Sequence, residues 1–299
     1  MPSTDPRPTK AQRQADARAR AAELRRQQES AARRNRFLAI GGAILAVLVV
    51  VGAVAFVLVQ NRQNATTYGS VAYGGADADS QSLVAPDLSA VTVPSTANDS
   101  GGIPVSDEGV GKAGGGDTVL QVYFDMQCPV CATFDSINAA DLQALQQEPG
   151  ISVVYQPLSF LDHASQGTRY STRAANALMT VADQDSGHFM AFMTALFANQ
   201  PAENTKGITD DKIAEIATGA GVPQSVIDQF TTTVNGTYTL SDGTQKTAAW
   251  RTFAPFVAAA TGSASAHFNG LSTPTLVLDG TVVSGGPSNA STVAWSQPG

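Results

Sequence analysis

The chain has 299 residues, a formal net charge of −7 and a hydrophobic share of 43%, which supports a packed core and excludes a wholly disordered acidic chain. The charge is divided unevenly, because residues 1–36 hold 10 Lys/Arg against 4 Asp/Glu, whereas residues 37–299 hold 8 against 21. This division excludes one uniform globule and predicts that the two parts face different surroundings.

Residues 37–59 form a run of 23 residues without a charged side chain. As a helix this run spans roughly 34 Å, enough to cross a bilayer, so we predict a transmembrane helix. A buried helix of a soluble protein is one alternative. A cleaved signal peptide is a stronger alternative, since Ala53-Val54-Ala55 resembles a cleavage site, but the apolar run continues to Val59 and exceeds the usual length.

The basic residues before this helix, including Arg33, Arg34 and Arg36, outnumber Arg62 just after it. The positive-inside rule therefore predicts a cytoplasmic N-terminus and an exported remainder, with the protein located in the cell membrane. A basic arm over residues 1–36 is also compatible with binding nucleic acid or anionic lipid, but we interpret it as a topology determinant and expect no nucleic acid partner.

Residues 60–116 are rich in Gly, Ser, Ala, Thr, Asp and Asn and lack a sustained apolar period. This composition predicts a disordered linker. A flexible coil of that length has a root-mean-square reach of about 40 Å, so the linker would let a folded domain contact partners near the membrane.

Strand and helix patterns alternate from Thr118 onwards. Residues 119–124 predict a buried strand, apolar positions between 134 and 145 predict a helix, and residues 151–155 predict a second strand. Together they predict a β-α-β unit with parallel strands and a right-handed crossover.

Residues 160–262 carry apolar stripes at helical spacing, which predict an inserted helical subdomain. Three of its helices are expected near residues 174–182, 189–197 and 213–217. Two further helices are expected to bury Ile227, Phe230 and Val234 after Pro223, and then Trp250, Phe253, Ala254 and Val257.

Two short strands, residues 275–278 and 281–283, flank Asp279-Gly280 and predict a β-hairpin, because this dipeptide favours the tight turn of hairpins. We assign residues 117–290 to one folded domain and residues 291–299 to a short tail.

Cys128 and Cys131 are the only cysteines in the sequence and lie between the predicted strand and the predicted helix. The first thiol of such a pair sits at a helix N-terminus, where free amides and the helix dipole lower its pKa. We predict that Cys128 is a nucleophile and that Cys131 resolves the mixed disulfide. Pro129 suits the first helical turn, since its missing N–H has no partner there.

Other uses of the cysteine pair are open. A zinc site requires four ligands, and besides carboxylates the sequence offers three histidines, none at paired spacing, so we expect no metal: His163, His188 and His267. A structural disulfide closing so short a loop would stabilise little, and an inert pair is not expected in an oxidising compartment.

Four segments resemble the DsbA-like, thioredoxin-fold disulfide oxidoreductases, particularly the membrane-tethered forms of actinobacteria. The resemblance covers about residues 117–290. The segments are Phe124-Asp125-Met126-Gln127-Cys128-Pro129-Val130-Cys131, Leu158-Ser159-Phe160-Leu161-Asp162, Arg173-Ala174-Ala175-Asn176-Ala177 and Ser272-Thr273-Pro274-Thr275.

The resemblance implies an α/β, thioredoxin-like fold with a helical insertion, preceded by the membrane helix and tether. It implies that Pro274 is a cis-proline facing the cysteine pair and that the backbone of Thr273 pairs with an extended substrate peptide. It implies no cofactor beyond the Cys128–Cys131 disulfide. The implied partners are thiols or disulfides of exported proteins and a membrane redox partner that reoxidises or reduces the pair.

Two positions depart from the strongly oxidising members of that family. Pro129 and Val130 separate the cysteines, where those members have Pro-His, and Thr273 replaces the Val that precedes their cis-proline. Thr at that position is shared with disulfide isomerases of the wider superfamily. We therefore expect an oxidase and keep isomerase, reductase and a non-catalytic binding module as alternatives.

Overall fold

The computed structural model describes residues 10–268 and 271–285, so the predicted tail at 291–299 lies outside the described residues. The chain divides into two compact units, Met1–Val59 and Gln60–Gly299. From Lys10 onwards the first unit is helical and belongs to helix α1, Lys10–Thr67, whose last two turns lie in the second unit.

Helix α1 contains the one candidate membrane span among the described residues. This span covers Ile40–Thr67, with a mean hydropathy of 3.0, and none of its most apolar window is buried in the protein. The expected membrane helix at residues 37–59 thus lies within a helix long and apolar enough for that role, although the helix continues further on both sides.

The second unit contains a six-stranded sheet and a separate two-stranded sheet. The six-stranded sheet has the order β2-β1-β4-β3-β7-β8, and β5 pairs with β6. The strands are β1 Ile103–Ser106, β2 Gly109–Val110, β3 Thr118–Asp125, β4 Ile151–Leu158, β5 Thr233–Thr239, β6 Gln245–Arg251, β7 Thr275–Leu278 and β8 Thr281–Gly285.

Strands β3 and β4 are parallel and joined by helix α2, Pro129–Leu145, which confirms the predicted β-α-β unit. Phe134 and Leu142 bury one face of α2 against the core. Ile137 is one of the apolar positions from which the helix was predicted, but its side chain is half exposed, so the buried face is narrower than the apolar spacing indicated.

The remaining helices pack around the sheet, and three of them lie where the apolar spacing predicted helices. They are α3 Tyr170–Gln184, α4 Phe189–Ala198, α5 Asp210–Gly219, α6 Gln224–Ile227 and α7 Ala254–His267. Within α3, the Asn176 amide donates to the carbonyl of Phe230 at 3.0 Å and accepts from the amide of Phe253 at 2.9 Å. The buried Asn176 therefore fixes the two ends of the segment between α6 and α7.

The two last helices of the predicted subdomain are corrected by the structure. Val234 lies on β5 and is 40% exposed, and Trp250 lies on β6. The segment is rich in Thr, and its Asp242-Gly243 turn has a left-handed glycine at φ 83°, so β-branched residues and turn chemistry outweigh the helical spacing. The subdomain is thus helical with an inserted hairpin.

The β5–β6 hairpin packs on an aromatic cluster that is separate from the main hydrophobic core. Tyr73, Tyr238 and Trp250 pack together with ring centroids 4.9 to 6.4 Å apart, the range in which tilted and edge-to-face pairs attract. Gly236 passes directly over the Trp250 ring, where a Cβ would overlap the indole. This cluster joins the hairpin to the segment that follows α1.

The prediction of a disordered linker at residues 60–116 is corrected by the structure. Strand β1 pairs antiparallel with β4, and Ile103 is fully buried. Val71 and Tyr73 are also buried. Composition misled here because a few apolar residues, spaced among many small ones, are enough to complete an existing sheet.

The final hairpin is confirmed. Strands β7 and β8 are antiparallel, and Asp279 and Gly280 have φ values of 46° and 77°. Positive φ at both central positions is what a two-residue hairpin turn requires. Strand β7 also pairs antiparallel with β3, so it lies beside the strand that leads to the cysteines.

The burial of β1 predicts that Ile103→Ala will lower the free energy of unfolding by about 2–5 kcal/mol, because it empties space in a packed core. Urea denaturation followed by fluorescence measures this. Val93→Ala is the matched control, since Val93 lies in the same segment and is 44% exposed, and it should change stability by less than about 0.5 kcal/mol. Equal, small effects would mean that the segment does not contribute to the folded core.

Candidate active site

The end of strand β3 places the cysteine pair at the N-terminus of α2. Cys128 is the residue that caps the helix, with extended backbone angles, and Pro129 occupies the first helical position as expected. The amide of Cys128 donates to the carbonyl of Asp125 at 3.0 Å, which closes a tight turn between strand and helix. The Cys128 sulfur therefore faces the amides of the first helical turn.

Thr273 and Pro274 lie next to the cysteines, although about 145 residues separate them in sequence. The Cys128 thiol donates to the Thr273 carbonyl at 3.1 Å, and Pro274 lines a small cavity together with Cys131. The peptide bond between Thr273 and Pro274 is cis. The structure thus brings together four of the residues singled out in the sequence.

The pKa of Cys128 is lowered from 9.0 to about 6. The largest cause is a hydrogen bond from the Cys131 thiol, and further hydrogen bonds come from the Thr273 side chain and from the amides of Cys131 and Val130. Burial acts in the opposite direction but is outweighed. At pH 7 the thiolate, the reactive form of the residue, therefore predominates at Cys128.

The second cysteine has the opposite character. The pKa of Cys131 is raised well above 9.0, chiefly because its sulfur is buried, and also because its thiol donates to the Cys128 thiolate. Cys131 is 1% exposed, whereas Cys128 is 5% exposed and lies beside the exposed Pro129. One sulfur is charged and closer to solvent, and the other is neutral and enclosed.

In the part of the chain that the structure describes, no contact joins any of the three histidines to the cysteine pair. The ring of His163 contacts the carbonyl of Phe160, and His188 pairs with Asp185 at 2.8 Å. Within residues 10–268 and 271–285, no group of three or more His, Cys, Asp or Glu side chains is placed to hold a metal ion.

Asp125 supports the turn before Cys128, a role that the sequence did not reveal although the residue is part of the quoted motif. Its fully buried carboxylate accepts hydrogen bonds from the amides of Gln127 and Leu161, both at 2.8 Å, and from the Ser171 hydroxyl at 2.6 Å. Burial raises the pKa of Asp125 to about 7 in spite of these bonds. Asp125 thereby joins the turn to the loop after β4 and to α3.

Gln200 supports the same turn from the end of α4. Its side-chain amide donates to the carbonyls of Met126 and Cys128, each at 2.9 Å. Gln127 similarly donates to the carbonyl of Ala164 at 3.0 Å. No sequence signal could have found Gln200, because its distance from the cysteines along the chain follows no motif and a single Gln after a helix is common.

A family model described as Thioredoxin matches residues 111–295, well over half of the chain. The chain belongs to the thioredoxin family. This match confirms the expected thioredoxin-like fold. The matched region does not include strands β1 and β2 or the residues before them, although these residues complete the sheet and the core.

Among curated proteins, the serine/threonine-protein kinase PknE of Mycobacterium tuberculosis strain H37Rv is 33% identical to this thioredoxin-family chain over 114 residues. The match covers 37% of this chain and 20% of the kinase. The chain therefore spans about a fifth of the length of the curated relatives it matches.

Several solved structures are similar to this chain. Oxidised DsbA of Mycobacterium tuberculosis has 27% identity and a TM-score of 0.46, with 62% of this chain and 87% of that chain covered. The disulfide bond oxidoreductase DsbG of the same organism has 27% identity and a TM-score of 0.42, covering 55% and 70%. MdbA of Corynebacterium matruchotii, a thiol-disulfide oxidoreductase, has 18% identity and a TM-score of 0.48, covering 78% and 98%.

The hydrogen bond from Thr273 to the sulfur predicts that Thr273→Val raises the pKa of Cys128. Loss of about 1.4 kcal/mol of charge-assisted hydrogen bonding raises the pKa by about one unit. At about pH 5, which is below the pKa, the thiolate fraction of Cys128 then falls about tenfold. Ultraviolet absorbance of the thiolate during a pH titration measures this. Thr237→Val, on the exposed face of β5, is the control and should leave the titration unchanged. An unshifted curve for Thr273→Val would remove this threonine from the site.

Proposed function

We propose that this protein is an extracytoplasmic thiol:disulfide oxidoreductase that forms or reshuffles disulfides in exported proteins. The observation that carries the proposal is the asymmetry of the two sulfurs, a Cys128 thiolate at the start of α2 and a buried, protonated Cys131 beside it. Such a pair combines a nucleophile, which is also a good leaving group, with a resolving thiol. Membership of the thioredoxin family supports the same chemistry.

In the oxidising direction, a substrate thiolate attacks the Cys128 sulfur of the disulfide, and Cys131 leaves with the electron pair and takes up a proton. A second substrate thiolate then attacks the substrate sulfur of the mixed disulfide, and Cys128 leaves as a thiolate. The substrate loses two electrons and the cysteine pair gains them. The low pKa of Cys128 favours its departure in the second step.

The same pKa favours oxidase over reductase. A folded-state pKa of about 6, against 9.0 for the free thiol, stabilises the reduced protein only above about pH 6, and the effect is complete above pH 9. At pH 7 the lowered pKa of Cys128 therefore makes the disulfide more oxidising than it would be with an unperturbed thiol. The direction is that of an oxidase, whereas isomerase and reductase share the fold and stay as second candidates.

Substrate docking is proposed at Thr273 and Pro274. Pro129 and Val130, which lie between the two cysteines in sequence, are proposed to tune the reactivity of the cysteine pair. The Thr273 carbonyl reaches the Cys128 sulfur, so a peptide that pairs with this backbone by strand addition brings its own sulfur to the site. Pro129 is exposed and Val130 is half-buried, so both lie where a bound peptide contacts the enzyme.

The proposed location is the cell membrane, with the catalytic unit outside the cytoplasm. Support comes from the candidate span at Ile40–Thr67 and from the ten basic residues within residues 1–36, which the positive-inside rule assigns to the cytoplasm. Turnover then requires a membrane redox partner that reoxidises the Cys128–Cys131 pair for an oxidase, or reduces it for a reductase.

Substitution of each cysteine tests the proposed function. Cys128→Ser should abolish oxidation of a reduced, unfolded substrate, because the nucleophile is lost. Cys131→Ser should instead accumulate mixed disulfides, since the resolving thiol is lost while the nucleophile remains. Non-reducing electrophoresis should show these species as higher-mass bands that reductant removes. Unchanged turnover by Cys128→Ser would reject the proposal, whereas no turnover by the wild-type protein would favour a non-catalytic binding module.

The reduction potential of the cysteine pair distinguishes oxidase from reductase. Equilibration with glutathione redox buffers, followed by thiol alkylation, measures it. A potential near about −120 mV is characteristic of a strong oxidant and one near about −270 mV of a reductant. We expect a value nearer the oxidising end, with Thr273→Val shifted towards the reducing end because its thiolate is less stabilised. A wild-type potential at the reducing end would favour a reductase.

A further inference from the structure

Strand β5 has one edge that β6 does not cover. Antiparallel strands exchange both hydrogen bonds at every second residue, so alternate residues point their N–H and C=O groups to opposite edges of a strand. The amide of Leu240, just after β5, donates across the hairpin to the carbonyl of Thr244 at 2.9 Å. Because Leu240 bonds towards β6, the alternate residues Asn235, Thr237 and Thr239 point these groups to the free edge.

The segment before Pro86 pairs with one end of this free edge. It runs antiparallel to β5, and the amide of Val84 donates to the carbonyl of Thr239 at 3.1 Å. If this pairing continued, Pro86 would come opposite Thr237, but Pro86 has no N–H to donate. The free-edge groups of Thr237 and Asn235 therefore have no hydrogen-bond partner in the part of the chain that the structure describes.

A groove runs beside this unpaired part of the edge. It has a volume of about 510 Å³ and is lined by β5 and by residues 84–92, with Tyr73 and Trp250 of the aromatic cluster. Sites that hold one small ligand have volumes of roughly 300–1,000 Å³, so the groove has room for a short peptide segment. None of its lining residues lines the cavity beside Cys131, so the groove is separate from the cysteine site.

The edge lacks the features that keep strand edges unpaired in other proteins. Such edges are commonly protected by charged side chains, by prolines or by bulges. The sequence of β5, Thr233–Thr239, contains no charged residue and no proline, and its pairing with β6 is regular. Among the described residues that line the groove, Asp87 alone carries a charge. The groove is therefore suited to an extended strand that is uncharged or weakly basic.

We propose that this groove, here called the β5 groove, binds an extended, uncharged segment of the substrate polypeptide, which adds as a strand to Asn235 and Thr237. The inference rests on the proposed function and deepens it by naming the class of substrate, an unfolded chain held at a second place apart from the cysteines. Main-chain hydrogen bonds give affinity that tolerates many sequences. Side chains of the added strand alternate, so every second one faces the lining of the groove.

A single strand fits the β5 groove better than a second copy of the protein does. A copy that paired through its own β5 would bring its β6 alongside, where residues 84–92 line the groove. An unfolded chain supplies single extended segments without this obstacle. Uncharged segments that form strands in the folded product are exposed only before folding is complete, so the β5 groove favours substrates that are still unfolded.

Thr237→Pro tests the β5 groove in the full-length, detergent-solubilised protein. The N–H of Thr237 faces the groove, so proline removes a donor from the free edge and no hydrogen bond to β6. Thr247→Pro is the matched control. Thr247 is the cross-strand partner of Thr237, is also exposed, and points its N–H to the opposite edge of the hairpin.

Binding of a short, fluorescein-labelled peptide of alternating threonine and valine is measured by fluorescence anisotropy. The peptide contains no cysteine, so its binding does not depend on redox chemistry. We expect about tenfold weaker binding to Thr237→Pro than to the wild type, and unchanged binding to Thr247→Pro. No binding to the wild type, or equal binding to the two variants, would overturn the assignment of the β5 groove.

A modified peptide tests the same hydrogen bonds without any change to the protein, so that misfolding of a variant cannot explain the result. The same peptide with N-methylated amides has no main-chain donor for the edge of β5. We expect its binding to the wild-type protein to be lost. Undiminished binding would contradict strand addition.

Turnover separates this inference from the proposed function. Docking in the β5 groove raises the effective concentration of a long chain near the cysteines. Oxidation of reduced, unfolded ribonuclease A should therefore show a KM about tenfold higher for Thr237→Pro than for Thr247→Pro. Reaction of the reduced protein with the small disulfide dithiobis(nitrobenzoate) should not distinguish the two variants. No turnover by the wild type would reject the function, whereas normal turnover with an unshifted KM in Thr237→Pro would overturn only the β5 groove.

Discussion

Strands β3 and β4 run parallel through eight residue pairs, from Thr118 beside Ile151 to Asp125 beside Leu158. Because both strands end at the same edge of the sheet, the chain that leaves β3 towards Cys128 lies beside the chain that leaves β4. Asp125 bonds to both of these connections. Strand β7, paired on the other side of β3, then delivers Thr273 and Pro274 to the same edge.

Electrostatic differences within a few ångströms give the two sulfurs distinct roles. Amides at the start of α2 and hydroxyl or thiol donors stabilise negative charge on Cys128, whereas burial keeps Cys131 neutral. Two buried acids near the cysteine pair, Asp125 and Asp135, also differ in their surroundings. Asp125 is surrounded by three donors and serves the backbone, while Asp135 has one distant donor and faces a cavity.

The β-α-β unit and the cysteine site were predictable because their signals are local. A buried strand, a Cys-Pro step and an apolar helix face are adjacent in sequence, and each favours its own structure. The hairpin β5–β6 was missed because Val234 and Trp250 fall at helical spacing from neighbouring apolar residues although they lie on strands, and only the Thr content and the turn at Asp242 indicated strands. Gln200 acquires its role from tertiary contacts that no sequence pattern encodes.

Strand β1 was hidden for a different reason. Its sequence Ile-Pro-Val-Ser contains Pro104, which normally argues against a strand inside a sheet. The Pro104 carbonyl accepts from Gly111 at 2.7 Å on the side away from β4, so the missing N–H also faces that side and no hydrogen bond to β4 is lost. Ile103 can then be buried as in any central strand.

The incorporation of β1 into the sheet changes how the cysteines meet their partners. If the segment before the cysteines were a free coil, it would keep the cysteines at a high effective concentration near partners over a wide volume, whatever the orientation of the partner. With Val71, Tyr73 and Ile103 buried, residues 68–110 have no such freedom, and Cys128 cannot be carried to a distant protein by swinging of this segment. If the protein acts on other proteins as proposed, the flexibility that brings one sulfur to another must therefore come from the incoming chain.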